Sequence, residues 1–311
     1  MIFLNIVFMG TPDFAVPCLK ALVDAKHNVQ AVFTQPDKPR GRGNKLVPTP
    51  VKKFAIECNI PVYQPTGLRK GNDAESSLQV LQELNPDLIV VVAYGQILPK
   101  SILDLPKYRC INIHASLLPK YRGAGPIQRC ILDGETLTGV TSMYMEEGLD
   151  TGDMLIKEKI TIGKNMIADE LHDALSEMGA EVLLKTIQAI EDGSIVRTPQ
   201  DDSMSTYAKM ITKEMSHLDF SKSAQEVHNI IRGITGFTSL NGKRLKVFRS
   251  EILEKTSSEP FGTIVDTSNF TVVCGDGKCI KFNEVQLEGS KRMDTKVFLR
   301  GKKLDKTILG E

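Results

Sequence analysis

The chain has no tryptophan in 311 residues and only five histidines, so each imidazole is a scarce chemical resource. No apolar run reaches the roughly 18 residues that a membrane-spanning helix needs, and no span is expected. The opening "MIFLNIVFMG" has no basic stretch and no small-residue cleavage site. It is read as a first buried strand rather than a leader. The six cysteines, at 18, 58, 110, 130, 274 and 279, lie in apolar stretches without metal-ligand spacing. They are expected to be reduced, mostly buried thiols of a cytosolic protein that holds no metal. Gly10 closes the first apolar run, but "GTPDFA" offers no second or third glycine. That argues against the close backbone approach of the dinucleotide fingerprint, and so against a nicotinamide cofactor.

What is present is ordinary globular sequence, 41% hydrophobic and 25% charged, long enough for two domains with a core each. Apolar runs at 3–9, 28–34, 87–94, 110–115 and 139–145 are continuous rather than alternating. Such runs are strands buried on both faces, which predicts an α/β fold with an open, mostly parallel, Rossmann-like sheet. Thr11 and Pro12 fit the N-cap and first position of a helix running to about Ala25. A long helix is expected from Ala168 to Glu191, stopped by Asp192-Gly193. Residues 197–209 are polar and aperiodic and read as a linker. Beyond about 240 the pattern becomes short β runs, with a hairpin signal at Gly275-Asp276-Gly277, and predicts a small β-barrel. The boundaries are therefore a first domain over 1–196, a linker over 197–209 and a second domain over 210–311. The net charge of +1 hides an asymmetry. Residues 1–204 carry 21 Lys and Arg against 25 Asp and Glu, while 205–311 carry 18 against 13. A basic C-terminal part fits an anionic partner and fits a solvated surface equally well.

The stretch "NIHASLLPKYRGAGPIQ" (112–128) holds the sharpest signal. In a strand, residues two apart face the same side, so Asn112 and His114 project together at a strand's carboxyl end, where open α/β sheets place ligands. For a lone histidine the plainer reading is a satisfied polar group. A loop shaped by Pro119, Gly123, Gly125 and Pro126 follows directly. "MEEGLDTGDML" puts Asp150 in another strand-end loop, able to orient His114 or relay a proton if the two strands are neighbours. An imidazole beside a carboxylate is an acid/base pair, and a carboxamide can hold an oxyanion. No serine or cysteine nucleophile is demanded, and Ser116 reads as a turn residue. The set suggests direct attack of a substrate nucleophile on a carbonyl.

The runs "INIHASLLPKYRGAGPIQ", "GVTSMYMEEGLDTGDML" and "VVAYGQILPK" together resemble the formyltransferases that use 10-formyltetrahydrofolate. The likeness covers nearly the whole chain and is strongest to the members that formylate methionyl initiator tRNA for translation initiation. It implies that Asn112, His114 and Asp150 are the catalytic trio. It also implies a folate site lined by Ser116, Leu117, Leu118 and Pro119, with Tyr94, Gly95, Ile97 and Leu98 and the backbone of Met145 to Leu149, Gly148 included, around the pterin. The formyl donor would be a co-substrate, with no metal and no nicotinamide. The second domain would be a tRNA-binding barrel of the OB type, with Lys291, Arg292, Lys296, Arg300, Lys302 and Lys303 as candidate phosphate contacts. In the basic loop 34–53, Lys38, Arg40, Arg42, Lys45, Lys52 and Lys53 face a single Asp37. This composition suits phosphate contact, and the loop resembles the insertion that engages the acceptor stem, with Arg42 in its Gly-Arg-Gly core. One departure stands out: where the family usually carries Asn-Pro-Trp-Pro after "VHNIIRG", this chain reads "ITGFTSLNGKRLKV". A folate hydrolase, a small-amine formyltransferase and an RNA-binding protein with an inactive site remain alternatives. No coiled-coil heptads appear, and a monomer is expected.

Overall fold

The computed structural model describes residues 4–40 and 45–310. They form two compact units that do not follow chain order. The first contains the chain up to Gly123, then Gly139–Ile160 and His172–Tyr207; the second contains Ala124–Thr138, Thr161–Leu171 and the chain from Ala208.

The strands of the first two-thirds are β1 (Asn5–Gly10), β2 (Asn28–Phe33), β3 (Lys38–Arg40), β4 (Lys45–Val47), β5 (Val62–Tyr63), β6 (Leu88–Val92), β7 (Cys110–His114), β8 (Leu137–Tyr144) and β9 (Met154–Thr161). Between and after them lie α1 (Val16–Asp24), α2 (Pro50–Glu57), α3 (Asn72–Leu84), α4 (Lys100–Leu103), α5 (Pro126–Leu132) and α6 (Ala168–Glu191). One sheet runs in the order β5-β2-β1-β6-β7-β8-β9. It is parallel from β5 to β7, so β1, β2, β6 and β7 end at one edge. β8 then runs antiparallel to β7, with His114 opposite Thr141 and Ile111 opposite Tyr144. Every side chain of β6 and β7 is buried, as continuous apolar runs require. Val7, Met9, Phe33, Leu81, Ile89, Tyr94 and Leu98 share one core cluster. At β8 and β9 the chains approach so closely that a Cβ on Gly139 would overlap the Glu158 carbonyl, and one on Gly152 the Tyr144 carbonyl.

One local expectation is corrected. Thr11 does not cap a helix: its hydroxyl donates to the Tyr94 carbonyl at 2.9 Å, a 3-10 turn occupies Asp13–Ala15, and α1 starts only at Val16. Parts of the basic loop form regular elements. β3 and β4 pair as an antiparallel ribbon, with Arg40 opposite Lys45, and α2 begins at Pro50 behind a Thr49 cap. Arg42 lies outside the described residues.

The second unit adds α7 (Ala224–Ile234), β10 (Gly236–Leu240), β11 (Lys243–Thr256), β12 (Ile264–Asp266), β13 (Thr271–Val273), β14 (Lys278–Leu287), β15 (Met293–Asp294) and α8 (Thr295–Gly301). Its antiparallel sheet runs β10-β11-β14-β13-β12, with β15 on β14. β11 changes register between Val247 and Ser250, an irregularity of the kind that lets one long strand bend. The C-terminal segment closes the structure into a barrel: Ile264 N–H donates to Thr307 O and Leu309 N–H to Gly262 O on one side, and Gly310 N–H donates to Ser239 O on the other. The hairpin foreseen at 275–277 joins β13 to β14, with Gly277 at φ +74°. The core packs Val227 and Ile231 of α7 against Leu245, Val247, Phe270 and Phe282. All six thiols are free and five are buried; burial pushes Cys18 and Cys274 up to about 12 and Cys130 up to about 11.

His228 is a buried imidazole of this core. Its Nε2 donates to the Lys164 carbonyl at 3.0 Å, which leaves Nδ1 to accept from the Ser250 hydroxyl at 2.8 Å. Burial holds the ring below its ordinary 6.5, although the Lys164 carbonyl pulls the other way. The folded state therefore binds fewer protons than the unfolded chain as pH falls through 6.5. The resulting stability is present above that pH and is lost below it. Tm is expected to fall on acidification from pH 7 to 5, and His228→Gln to show a shallower fall. Equal slopes in the two proteins would remove His228 from the acid response.

Candidate active site

Strand period places Asn112 and His114 on one face of β7, both buried, at 9% and 7% exposure. His114 Nε2 lies 2.9 Å from the Tyr121 carbonyl oxygen. A carbonyl only accepts, so Nε2 carries the hydrogen, and the lone pair of the neutral ring sits on Nδ1. That Nδ1 is 3.7 Å from Asp150 Oδ2, close enough for charge to matter but too long for a hydrogen bond. Asp150 Oδ2 accepts the Gly123 N–H at 2.8 Å, and Oδ1 accepts from Asn112 Nδ2 at 3.4 Å. The three expected residues are therefore brought together.

The route differs from the simple one. Because β8 is antiparallel to β7, the loop after β8 starts at the wrong end of β7, where Met145 N–H donates to Cys110 O at 2.9 Å. It must turn back to deliver its carboxylate, and Asp150 takes the left-handed conformation at φ +54°. The facing loop is bent as well, with Tyr121 at φ +60° and Gly123 at φ +107° presenting the carbonyl and the N–H that hold His114 and Asp150. Such conformations persist only where the surroundings enforce them.

Arg122, from the loop read as supporting the site, and three residues that sequence reasoning passed over, Gln200, Asp202 and Thr206, supply that support. Gln200 Nε2 donates to the carbonyls of Asp150 and Gly152, both at 2.8 Å, and its Oε1 accepts from Arg122 Nε at 3.0 Å and Nη2 at 2.8 Å. Asp202 receives a further bond from Arg122 Nη2 at 2.7 Å. Thr206 Oγ1 accepts the Tyr121 N–H, and Thr206 O the Arg122 N–H. Thus 198–206, inside the stretch read as linker, is bound into the first unit.

The candidate folate residues divide. Ser116 is fully buried and its hydroxyl donates to Lys120 O at 2.7 Å, a turn role. Leu118 packs with Met143 and Met154, and the Lys157 ammonium donates to its carbonyl at 2.5 Å. Desolvation, with Lys159 nearby, lowers the pKa of that ammonium. Leu117 and Pro119 are half-buried. Tyr94 and Leu98 belong to the core, with Met145 packed against the same cluster, whereas Gly95, Ile97 and Gly148 are exposed. Among the described residues, the backbone groups of 95–98 and 146–149 make no hydrogen bond, so two loops offer free donors and acceptors. A cavity of about 490 Å³ opens beside Gln96 and Ile97, with Leu68, Arg69 and Lys70 on its wall.

The cationic candidates also divide. Lys38 is exposed, but Lys52 is bound to Asp37 at 2.7 Å and to Gln64. Arg292 forks onto both oxygens of Glu284 at 2.7 Å and covers the Phe248 ring. Among the described residues, no carboxylate pairs with the side-chain charge of Lys291, Lys296, Arg300, Lys302 or Lys303. The atypical "ITGFTSLNGKRLKV" segment ends α7 at Thr235 (φ +60°) and forms the β10–β11 hairpin. That hairpin exposes Lys243, Arg244 and Lys246, a group not foreseen. No group of three or more His, Cys, Asp or Glu that could hold a metal occurs among the described residues.

Comparison with known proteins identifies the family. The formyl transferase family model matches residues 4–187, and the formyl transferase C-terminal domain model matches 210–303. The methionyl-tRNA formyltransferase of Alkaliphilus oremlandii is 50% identical over 314 aligned residues, covering 99% of this chain and all of that protein. The methionyl-tRNA formyltransferase of Clostridioides difficile is 47% identical, covering 97% and 98%. Among solved structures, an N-formyltransferase from Helicobacter canadensis in complex with folinic acid and dTDP-3-aminofucose superposes with TM-score 0.68 at 21% identity, covering 91% of this chain and 99% of its own, which speaks to the fold alone. The chain belongs to the formyl transferase family, among its methionyl-tRNA formyltransferases.

Proposed function

We propose that the chain transfers the formyl group of 10-formyltetrahydrofolate to the α-amino group of methionyl initiator tRNA, as a monomeric enzyme of the cytosol. The observation that carries this reading is the convergence of one amide donor, one imidazole lone pair and one carboxylate, with no side-chain nucleophile needed. The unpaired backbone groups of 95–98 and 146–149 suit a ligand whose ring edge alternates donors and acceptors, as a pterin's does. The folate donor, when bound, supplies an activated formyl carbon. Asn112 Nδ2 donates to the formyl oxygen as charge builds there. His114 Nδ1 takes the proton of the attacking amine, and the Asp150 carboxylate, 3.7 Å away, stabilises the imidazolium. The same proton is then available to the departing folate nitrogen, so protons balance without an outside acid.

Two separate surfaces are candidates for tRNA contact. In residues 210–311, Lys291, Lys296, Arg300, Lys302 and Lys303 contact phosphates, joined by Lys243, Arg244 and Lys246. In the basic loop 34–53, Lys38 does so, and Arg40, Arg42 and Lys45 keep the same role by resemblance alone. Arg292 and Lys52 contribute less, because each already holds a carboxylate.

The direct assay offers the donor together with charged initiator tRNA, charged elongator tRNA or no acceptor. Formyl-methionine from the initiator is expected; formate released without an acceptor would indicate a hydrolase instead. His114→Ala is expected to lower kcat by about 10²-fold or more, the usual scale of a lost acid/base group. Near-normal turnover of that variant would take His114 out of the mechanism. Arg42→Ala is expected to raise KM for charged tRNA and leave KM for the folate donor unchanged, and an unaltered tRNA dependence would remove Arg42 from the interface.

A further inference from the structure

We propose that Gln200, clamped by Arg122, is a positioning residue that holds Asp150 in its working geometry; this rests on the formyl-transfer reading above. A carboxamide has two N–H groups and one oxygen with two lone pairs. At Gln200 all four are used: both donors on the carbonyls of Asp150 and Gly152, and both lone pairs on the fork of Arg122. The amide orientation is therefore dictated, since a guanidinium has no acceptor and can face only the oxygen.

The bonds fall where the backbone most needs them. The turn that brings Asp150 back along β7 places it at φ +54° without a glycine, a conformation that persists only where the surroundings enforce it. One NH₂ group ties the carbonyls on both sides of Thr151 and so fixes the peptide planes that set the direction of the Asp150 side chain. Arg122 adds a second tie from the opposing loop. Its neighbour Gly123 donates directly to Asp150 Oδ2, so one short segment fixes both the carboxylate and the residue that holds its backbone. Arg122 is itself 9% exposed, and of its two partners Gln200 is the shielded one, because Asp202 is 82% exposed and its ion pair is weakened by water.

Gln200→Glu is the sharpest probe. It keeps the size and an oxygen for Arg122 but has no N–H for the two carbonyls. The assay is single-turnover formylation with enzyme in excess. The rate is expected to fall by about 10²-fold, the scale of a misplacement near 1 Å. KM for both substrates should be unchanged. In an Asp150→Asn background the same substitution should cost nothing more, because Gln200 acts through Asp150. Equal losses in both backgrounds would mark Gln200 as merely structural and overturn the proposal. Gln200→Asn, which keeps the donors on a shorter arm, is expected to retain part of the rate. Should Gln200→Glu fail to fold, Arg122→Lys is run through the same cycle and must show the same coupling. A crystal structure of the variant gives a readout independent of activity: the separation of Asp150 Oδ2 from His114 Nδ1 should grow beyond 3.7 Å. An unmoved Asp150 would refute the positioning role whatever reaction the enzyme performs. Absence of formyl-methionine from the unmodified protein would instead refute the reading of function.

Discussion

The site depends on one constraint: a carboxylate must be returned to the face of β7 by a loop that begins at the opposite end of that strand. Parallel strands would have delivered Asp150 to the carboxyl edge without effort. The antiparallel β8 does not, and the left-handed Asp150, the tight approach of Gly152 to Tyr144 and the bent 121–123 segment all follow from that one reversal. The result is a carboxylate with a backbone N–H and a carboxamide donor within reach, next to an imidazole whose free lone pair faces it across 3.7 Å. That gap is chemically informative. A hydrogen bond to Asp150 would require a proton already on Nδ1, whereas the lone pair found there is what a base needs. In the proposed mechanism the carboxylate acts mainly when the ring becomes charged, which is when stabilisation speeds a reaction.

The two loops proposed to face the folate show a complementary economy. Their apolar side chains, Tyr94, Leu98 and Met145, are spent on the core. In the proposed reading, recognition is thereby left to backbone groups that make no hydrogen bond among the described residues. A rigid sheet edge fixes these groups in place, and Thr11 and Gln35 both donate to the Tyr94 carbonyl to hold the first loop down. This explains why Thr11 is not a helix cap: its hydroxyl is already engaged across the sheet edge.

Much of this was legible in the sequence where a short-range period carried it. Asn112 and His114 share a face because strand side chains repeat every two residues. The helix from Ala168 to Glu191 and the turn at Gly275-Asp276-Gly277 were announced by their own stop and turn residues. The strand-end pattern put Asp150 in reach of His114 only on condition that two strands were neighbours, and the likeness to known formyltransferases implied the pairing. What stayed hidden was long-range and carried by polar atoms. Gln200 acts through backbone carbonyls about fifty positions away, and a glutamine in an aperiodic stretch looks the same whether it is solvated or buried in a network. Closure of the barrel by 307–310 was equally silent, because backbone hydrogen bonds impose no side-chain pattern.

Charge illustrates the same limit from the other side. Counting residues makes the C-terminal third basic, but a count treats every lysine and arginine alike. In the folded chain Arg249, Lys281, Arg292 and Lys306 are each paired with a carboxylate, and their fields beyond a few ångströms are largely cancelled. What a polyanion would meet is the remainder that is unpaired among the described residues: Lys291, Lys296, Arg300, Lys302, Lys303 and the exposed tip of the β10–β11 hairpin. There Arg244 lies 3.9 Å over the Phe237 ring, a stacked cation beside two free lysines. The segment that departs from the usual family pattern therefore lacks the tryptophan expected there yet presents a compact cationic surface of its own. A phosphate backbone can be engaged by any well-placed cation, so a family can change the residues at such a junction while keeping its partner. The proposed trio has no such freedom, because the role proposed for it lies in the placement of single atoms.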